Sequence, residues 1–236
     1  DPDSFHSLLK GRTIGQARAV GGQIEIDAGE MCLLFNDGTN LRFHDVGDKQ
    51  PEKHQLFVAF DDGTSLSCSV QMYGGIALYP AGTYDNGYHL VAKEKLSPLT
   101  DAFDFTYFMG IASAAKPKLS VKGLLATEQR IPGLGNGCLQ DILFRARLNP
   151  RTPISRIDDD GWDVLFRSVT DTLHAMTEQG GRNTEKDLLG RPGGYQSVLS
   201  SKTYGYGCPV CGSSILRKAY MGGNVYFCPV CQPIPE

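Results

Sequence analysis

Between residues 11 and 80, short apolar runs alternate with turn signals. TIGQARAVG, QIEIDAG, EMCLLFNDGTNLRFHDVG, QLFVAFDDGTSLSCSV and GGIALYP all have strand-like content. The Asp-Gly turns in NDGT and DDGT are strong short-range hairpin signals. This stretch predicts an antiparallel β domain, a sandwich or a flattened barrel. Residues 81–100 mix Gly, Pro and polar residues and read as a connector. The apolar period then becomes helical in DAFDFTYFMGIASA, KLSVKGLLATE and CLQDILFRARL. The clearest helix is DDDGWDVLFRSVTDTLHAMTEQGG, with acidic residues at its start and Gly180-Gly181 at its end. A Gly-rich basic loop and a cysteine-bearing segment complete the chain. The pattern predicts an α+β fold, with domains at 1–95 (β-sandwich), 96–200 (helical) and 201–236 (cysteine hairpin).

The cysteines add chemistry to this outline. Cys208 and Cys211 form one Cys-x-x-Cys pair, and Cys228 and Cys231 form another. Each pair aims two sulfurs at one centre, and two such turns complete a tetrahedral thiolate cage for zinc. Between them, SSILRKAY and NVYFC flank an MGGN turn, a hairpin that folds the second pair over the first. The alternative is two disulfides or four idle thiols. The opening residues carry no secretory pattern, which favours a reducing compartment and metal. Four protein ligands close the site, so the zinc is expected to be structural. Cys32, Cys68 and Cys138 are expected to be small buried hydrophobes.

Charge is uneven along the chain. The net value is −3, but residues 1–115 hold 8 Lys+Arg against 15 Asp+Glu, leaving 15 against 11 in residues 116–236. A basic C-terminal half suggests a phosphate-bearing partner there. No apolar run approaches the ~18 residues of a membrane span. Cytoplasmic, nucleoid-associated or otherwise intracellular placement is expected.

The stretch RIPGLGNGCLQDILFRARLNPRTPI carries the remaining signal. Gly133, Gly135 and Gly137 permit close backbone approach. Asn136 precedes a predicted helix near Cys138, so the turn is either a phosphate site made of helix N-terminal N–H groups or a simple Asn cap. In chain order, a β domain leads to a Gly-x-Gly-Asn turn, a long helix, a Gly-rich loop and a four-cysteine hairpin. That order resembles the formamidopyrimidine-DNA glycosylase / endonuclease VIII family, with GLGNG as its helix-two-turn-helix turn and the cysteines as its zinc finger.

The resemblance implies base-excision-repair DNA glycosylase and AP lyase (β-elimination) activity on duplex DNA with a damaged base or abasic site, carried out by a monomer. It implies that Asn136 bonds a DNA phosphate and that Gly135 offers a backbone N–H beside it. Lys122 adds charge there, or is a solvated surface lysine, the simpler reading. Arg191 and Tyr195 lie in GRPGGYQS, which looks like the family's loop over an everted base or else is a flexible linker. Gln71 and Tyr73, in QMYGGI, occupy the stretch where family members carry Arg-Arg-Phe-Gly, with Tyr73 an aromatic wedge.

The chain departs from the family where the chemistry lies. Family members attack C1′ with an N-terminal proline amine, forming a Schiff base, while the adjacent glutamate handles protons. Pro2 follows Asp1 and leads into DSFHSLLKGRT, so it is not that proline. Both catalytic residues are expected upstream of Asp1. Glu30 stands near a family lysine slot, Gln71 and Met72 replace guanidinium groups, and Gly223 and Asn224 occupy a hairpin tip that usually carries Arg. These changes keep open an alternative, a non-catalytic DNA- or lesion-binding protein on the same scaffold. A zinc-ribbon adaptor is a third reading, which leaves the GLGNG turn unexplained.

Overall fold

The computed structural model describes residues 4–234; Asp1 and Pro2 lie outside the described residues. A one-turn helix α1 (Phe5–Leu9) precedes strands β1 (Ile14–Val20), β2 (Gln23–Ala28), β3 (Met31–Phe35), β4 (Thr39–His44), β5 (Leu56–Ala59), β6 (Ser65–Val70) and β7 (Ile76–Pro80). They make two antiparallel sheets, ordered β1-β2-β3-β7 and β4-β6-β5. Alternation places Ile26, Leu33, Phe35, Ile76 and Leu78 of the first against Leu41, Leu56, Leu66 and Cys68 of the second, so the strands form a sandwich.

The two Asp-Gly turns differ in outcome. Asp61–Thr64 closes the β5–β6 hairpin, where Phe60 N–H donates to Thr64 O at 3.0 Å. Asn36–Thr39 closes no hairpin; it carries the chain from one sheet to the other. Gly38 has φ +93, and a Cβ there would lie 2.7 Å from Gln71 O and 2.9 Å from Gly74 N. The turn therefore serves a close backbone crossing with residues 71–74, a demand that local sequence does not distinguish from a hairpin.

The 81–100 connector contains a helix, α2 (Gly87–Glu94), started by Asn86 Oδ1, which accepts from Tyr88 N and His89 N. Its reason is tertiary. Strand β3 is buried on both faces, and its outer face, Cys32 and Leu34 with Tyr79, needs a cover. Tyr84 stacks on Tyr79 at 4.5 Å, and α2 supplies His89 and Lys93 to the buried Glu25 of β2. Glu25 Oε1 lies 2.9 Å from Lys93 Nζ, 3.1 Å from Tyr79 Oη and 3.0 Å from His89 Nε2. Arg18 grips Asp27 with two N–H groups beside it. Burial alone would raise the Glu25 pKa, but the bonds from Lys93 and Tyr79 and the charge of Lys93 overcome it, and the net shift is downward. Burial pushes His89 down, so its neutral form is favoured.

Two compact units result, one through Lys93 joined by Lys186–Pro192, the other Glu94–Glu185 with the chain from Gly193 onward. In the first, Leu188 O accepts from Phe43 N at 2.9 Å, which adds the 186–192 stretch to the β4 edge. The second contains α3 (Phe105–Ser113), α4 (Val121–Ala126), α5 (Asn136–Arg145), α6 (Asp159–Glu178) and the hairpin β8 (Leu216–Tyr220)–β9 (Gly223–Phe227). Its core joins Phe108, Leu124, Leu125, Leu139, Ile142, Leu143, Trp162, Leu165 and Val169. The long predicted helix is α6, capped by Asp158 Oδ1 on Gly161 N at 2.8 Å, with Asp159 and Asp160 in its first turn.

Two outcomes are expected from this packing. Glu25→Gln should destabilise the protein by about 1–3 kcal/mol at neutral pH, since it removes charge-assisted bonds. A depressed carboxylate pKa gives stability above its unfolded value of ~4.3 that is lost as pH falls through the folded value. Denaturant curves of parent and variant should therefore converge in acid. Gly38→Ala should cost about 1–3 kcal/mol or more, from positive φ and backbone overlap, read as a lowered unfolding midpoint.

Candidate metal centre and anion-binding turn

The cysteine hairpin is built by a short turn. Met221 (φ 47) and Gly222 (φ 74) are its two central residues, the signs a type I′ turn needs, and Tyr220 pairs with Gly223. Gly223 and Asn224 thus belong to β9, not to the loop. The strands bring Cys208, Cys211, Cys228 and Cys231 together, with sulfurs all within 4.8 Å of one another. Cys208 and Cys231 Sγ lie 3.8 Å apart, and Cys211 and Cys228 Sγ 3.4 Å apart. Thiolates around a tetrahedral ion at ~2.3 Å are separated by ~3.8 Å, so the four side chains can hold a metal ion. Hydrogen bonds from Ser213 bring the Cys211 thiol down to about 6, toward the thiolate a metal requires.

The hairpin is docked on α5 by polar side chains. Gln140 Oε1 accepts from Tyr226 N at 3.0 Å, and Gln140 Nε2 donates to Asn224 O at 3.2 Å. Gln232, fully buried beside the second cysteine pair, accepts from Cys228 N and donates to Leu148 O, and Asn149 Nδ2 donates to Gln232 O. Neither glutamine was singled out from the sequence. Their signal is position: Gln140 is four residues past Asn136, on one helix face.

Asn136 is not a helix cap. Gly135 is the N-cap and Asn136 the first helical residue, because its side chain reaches across to β9, where Nδ2 donates to Asn224 O at 2.8 Å. Asn136 Oδ1 is buried with no partner. The N–H groups of a first helical turn lack intrahelical acceptors, so this end attracts anions. Lys122 is not a solvated lysine: it is 3% exposed, in α4, with Nζ 2.6 Å from Tyr220 O. Burial pushes its pKa down. A Cβ on Gly223 would lie 3.3 Å from Asn136 Nδ2 and 3.9 Å from Lys122 Nζ, so the hairpin's glycine lets both groups converge on its backbone.

On the other side of α5, a Cβ at Gly137 would overlap the Arg182 guanidinium, which is paired with Glu185. Asp141 is buried and accepts from Val198 N (2.9 Å) and Leu199 N (2.8 Å), which holds the chain after the Gly-rich loop; burial pushes its pKa up. Tyr195 is buried in this unit. Arg191 is exposed and paired with Asp187 at 2.9 Å. Residues 186–192 carry a hydrogen-bonded turn and not an unstructured linker.

In the first unit, Gln71, Met72 and Tyr73 form an exposed turn. Met72 is 90% and Tyr73 91% exposed, and Met72 has φ 51. Glu30 is exposed in the β2–β3 turn. Cys32 and Cys68 are buried, while Cys138 is partly buried.

The fold and the hairpin define a class: a β-sandwich unit, and a helical unit whose glycine-bounded turn carries a docked four-cysteine finger. No family model matches the sequence. A formamidopyrimidine-DNA glycosylase of Lactobacillus delbrueckii is 28% identical over 242 residues, covering 98% of this chain and 86% of the relative. The protein of that name from Brevibacillus brevis is 29% identical over 98% of this chain and 85% of its own length. The crystal structure of the MutM (Fpg) protein of Thermus thermophilus matches with TM-score 0.80 and 25% identity, over 98% of this chain and 86% of that one. A Lactococcus lactis Fpg complexed with DNA containing an abasic site has the same fold, with TM-score 0.80 at 24% identity. Over nearly its whole length the chain is similar in sequence and fold to the formamidopyrimidine-DNA glycosylases.

Cys228→Ser should abolish stoichiometric metal in elemental analysis and speed hydrogen exchange of the β8–β9 amides, because the four-cysteine cluster pins the base of the hairpin.

Proposed function

We propose that this chain is the DNA-gripping body of a base-excision-repair DNA glycosylase with AP lyase activity on damaged duplex DNA. The observation that carries the reading is the convergence of Asn136, Lys122 and the hairpin backbone on the α5 N-terminus. A buried lysine is costly unless it serves a ligand, and the remaining N–H donors of Lys122, with those of the first turn of α5, suit a phosphate diester. Asn136 and Gly135 would take one backbone phosphate, with Lys122 beneath it. Tyr73, exposed on its turn, would wedge into the stack where a nucleotide is everted. Arg191 would act from its exposed turn, while Tyr195 would brace the loop from inside.

The ion we assign to the four thiols is zinc, with a structural role only: a closed site of four thiolates leaves no open position for water or substrate. The Schiff-base chemistry of the family would need an amine nucleophile and a carboxylate, roles that we assign to none of the described residues. We read the protein as a monomer acting inside the cell, where thiols stay reduced. No helix among the described residues is long and apolar enough to cross a membrane.

Two measurements test the reading. Full-length protein incubated with abasic duplex and borohydride should give a covalent adduct. Tight binding with neither adduct nor strand cleavage would replace the enzyme by a lesion-binding protein on the same scaffold. Asn136→Ala should weaken duplex binding about tenfold, in the range of one charge-assisted contact of ~1.5–3 kcal/mol. It should leave the metal content unchanged.

A further inference from the structure

The hairpin tip, Tyr220–Asn224, carries no cation of its own. The structure brings one to it from elsewhere. Arg151 follows α5 in the sequence NPRTP, in a loop that is stitched down on several sides. Its own N–H donates to Asn149 Oδ1 at 3.1 Å. Val121 N donates to Thr152 O at 2.8 Å and Lys122 N to Pro150 O at 3.2 Å, which ties the loop to the start of α4. Asn149 is in turn bonded to Gln232 in the cysteine finger. From this fixed base the Arg151 guanidinium lies over the Tyr220 ring, 5.0 Å from its centroid. The same ring has Lys122 Nζ at 5.9 Å, and its backbone carbonyl takes the Lys122 hydrogen bond.

The geometry points to Arg151 as a DNA-phosphate contact, aligned by Tyr220 beside the turn formed by Asn136 and Lys122. This inference rests on the duplex-binding reading above. A guanidinium offers its flat face to a ring and keeps its five N–H donors around the edge. Its place over Tyr220 therefore holds the group without using the donors, which leaves them for a bidentate phosphate contact. Arg151 is exposed, and no ion pair involves it among the described residues, whereas Arg130, Arg167, Arg182 and Arg191 each face a carboxylate. Its charge is thus available to an external anion. The role also accounts for Tyr220: an aromatic residue at a hairpin end gains little by burial there, but it orients two cations.

The test is duplex binding by fluorescence anisotropy across a salt series, with an abasic-site analogue and full-length protein. Arg151→Gln should lower affinity several-fold and reduce the slope of log K against log salt by about 0.9, the loss of one phosphate contact. Arg151→Lys keeps the charge while losing the planar stack, so it should keep the parent slope with weaker binding. Tyr220→Leu should behave like Arg151→Lys. Metal content and unfolding midpoints of the Arg151 variants should match the parent. If Arg151→Gln retains the parent slope, or if its affinity loss tracks a loss of stability shared by Arg151→Lys, Arg151 is a packing residue and the inference is overturned. Should the parent fail to bind duplex at low ionic strength, the DNA reading itself falls, a result distinct from a normal parent with an unchanged Arg151→Gln slope.

Discussion

The second unit depends on one contact, the docking of a two-stranded hairpin onto the polar face of α5. An isolated hairpin of this size is marginal in water. Here it is held at both ends. The cysteine cluster pins its base, where Gln232 bonds Leu148 O and the Cys228 N–H. Gln140 and Asn136 bond its second strand along the helix. Without that docking, Lys122 would lose its carbonyl acceptor and Asn136 the strand that orients its amide. The arrangement of Asn136 and Lys122 is thus a property of α4, α5 and the finger together.

The first unit meets a different constraint. Strand β3 is apolar at every position, so both faces of its sheet need a cover. The second sheet covers one face. The other is closed by Tyr84 and α2, and the polar groups this buries are reconciled by Glu25, which collects Lys93, Tyr79 and His89 at one oxygen. A buried carboxylate held by the Lys93 and Tyr79 donors is tolerable where an unpaired one is not. That network explains why a stretch rich in Gly and polar residues still becomes helical.

Charge behaves locally in this protein. A net −3 argues mildly against nucleic acid as a partner. The cations proposed to meet phosphate are few and fixed: Lys122 buried against a carbonyl and Arg151 held over the Tyr220 ring. Phosphate recognition needs a few oriented donors more than an overall positive balance. Gly223 has a steric role of its own, since a side chain there would crowd Asn136 and Lys122.

The strands of the sandwich, the helices α3 to α6 and the cysteine hairpin were all legible in the sequence. Their signals are local: alternation, helical period, Asp-Gly and Met-Gly-Gly turns, and Cys-x-x-Cys spacing act over a few residues. Tertiary structure alone decided the rest. Asn36–Thr39 joins two sheets because of what it must pass at Gln71 and Gly74, and α2 forms because β3 needs covering. Asn136 turns from cap to first helical residue because a β9 carbonyl accepts from its amide, and Lys122 is buried because Tyr220 O accepts from it. Each of these depends on a partner more than thirty residues away along the chain. Periodicity and propensity carry no information at that range, since hydrogen bonds and burial are set only when the units pack.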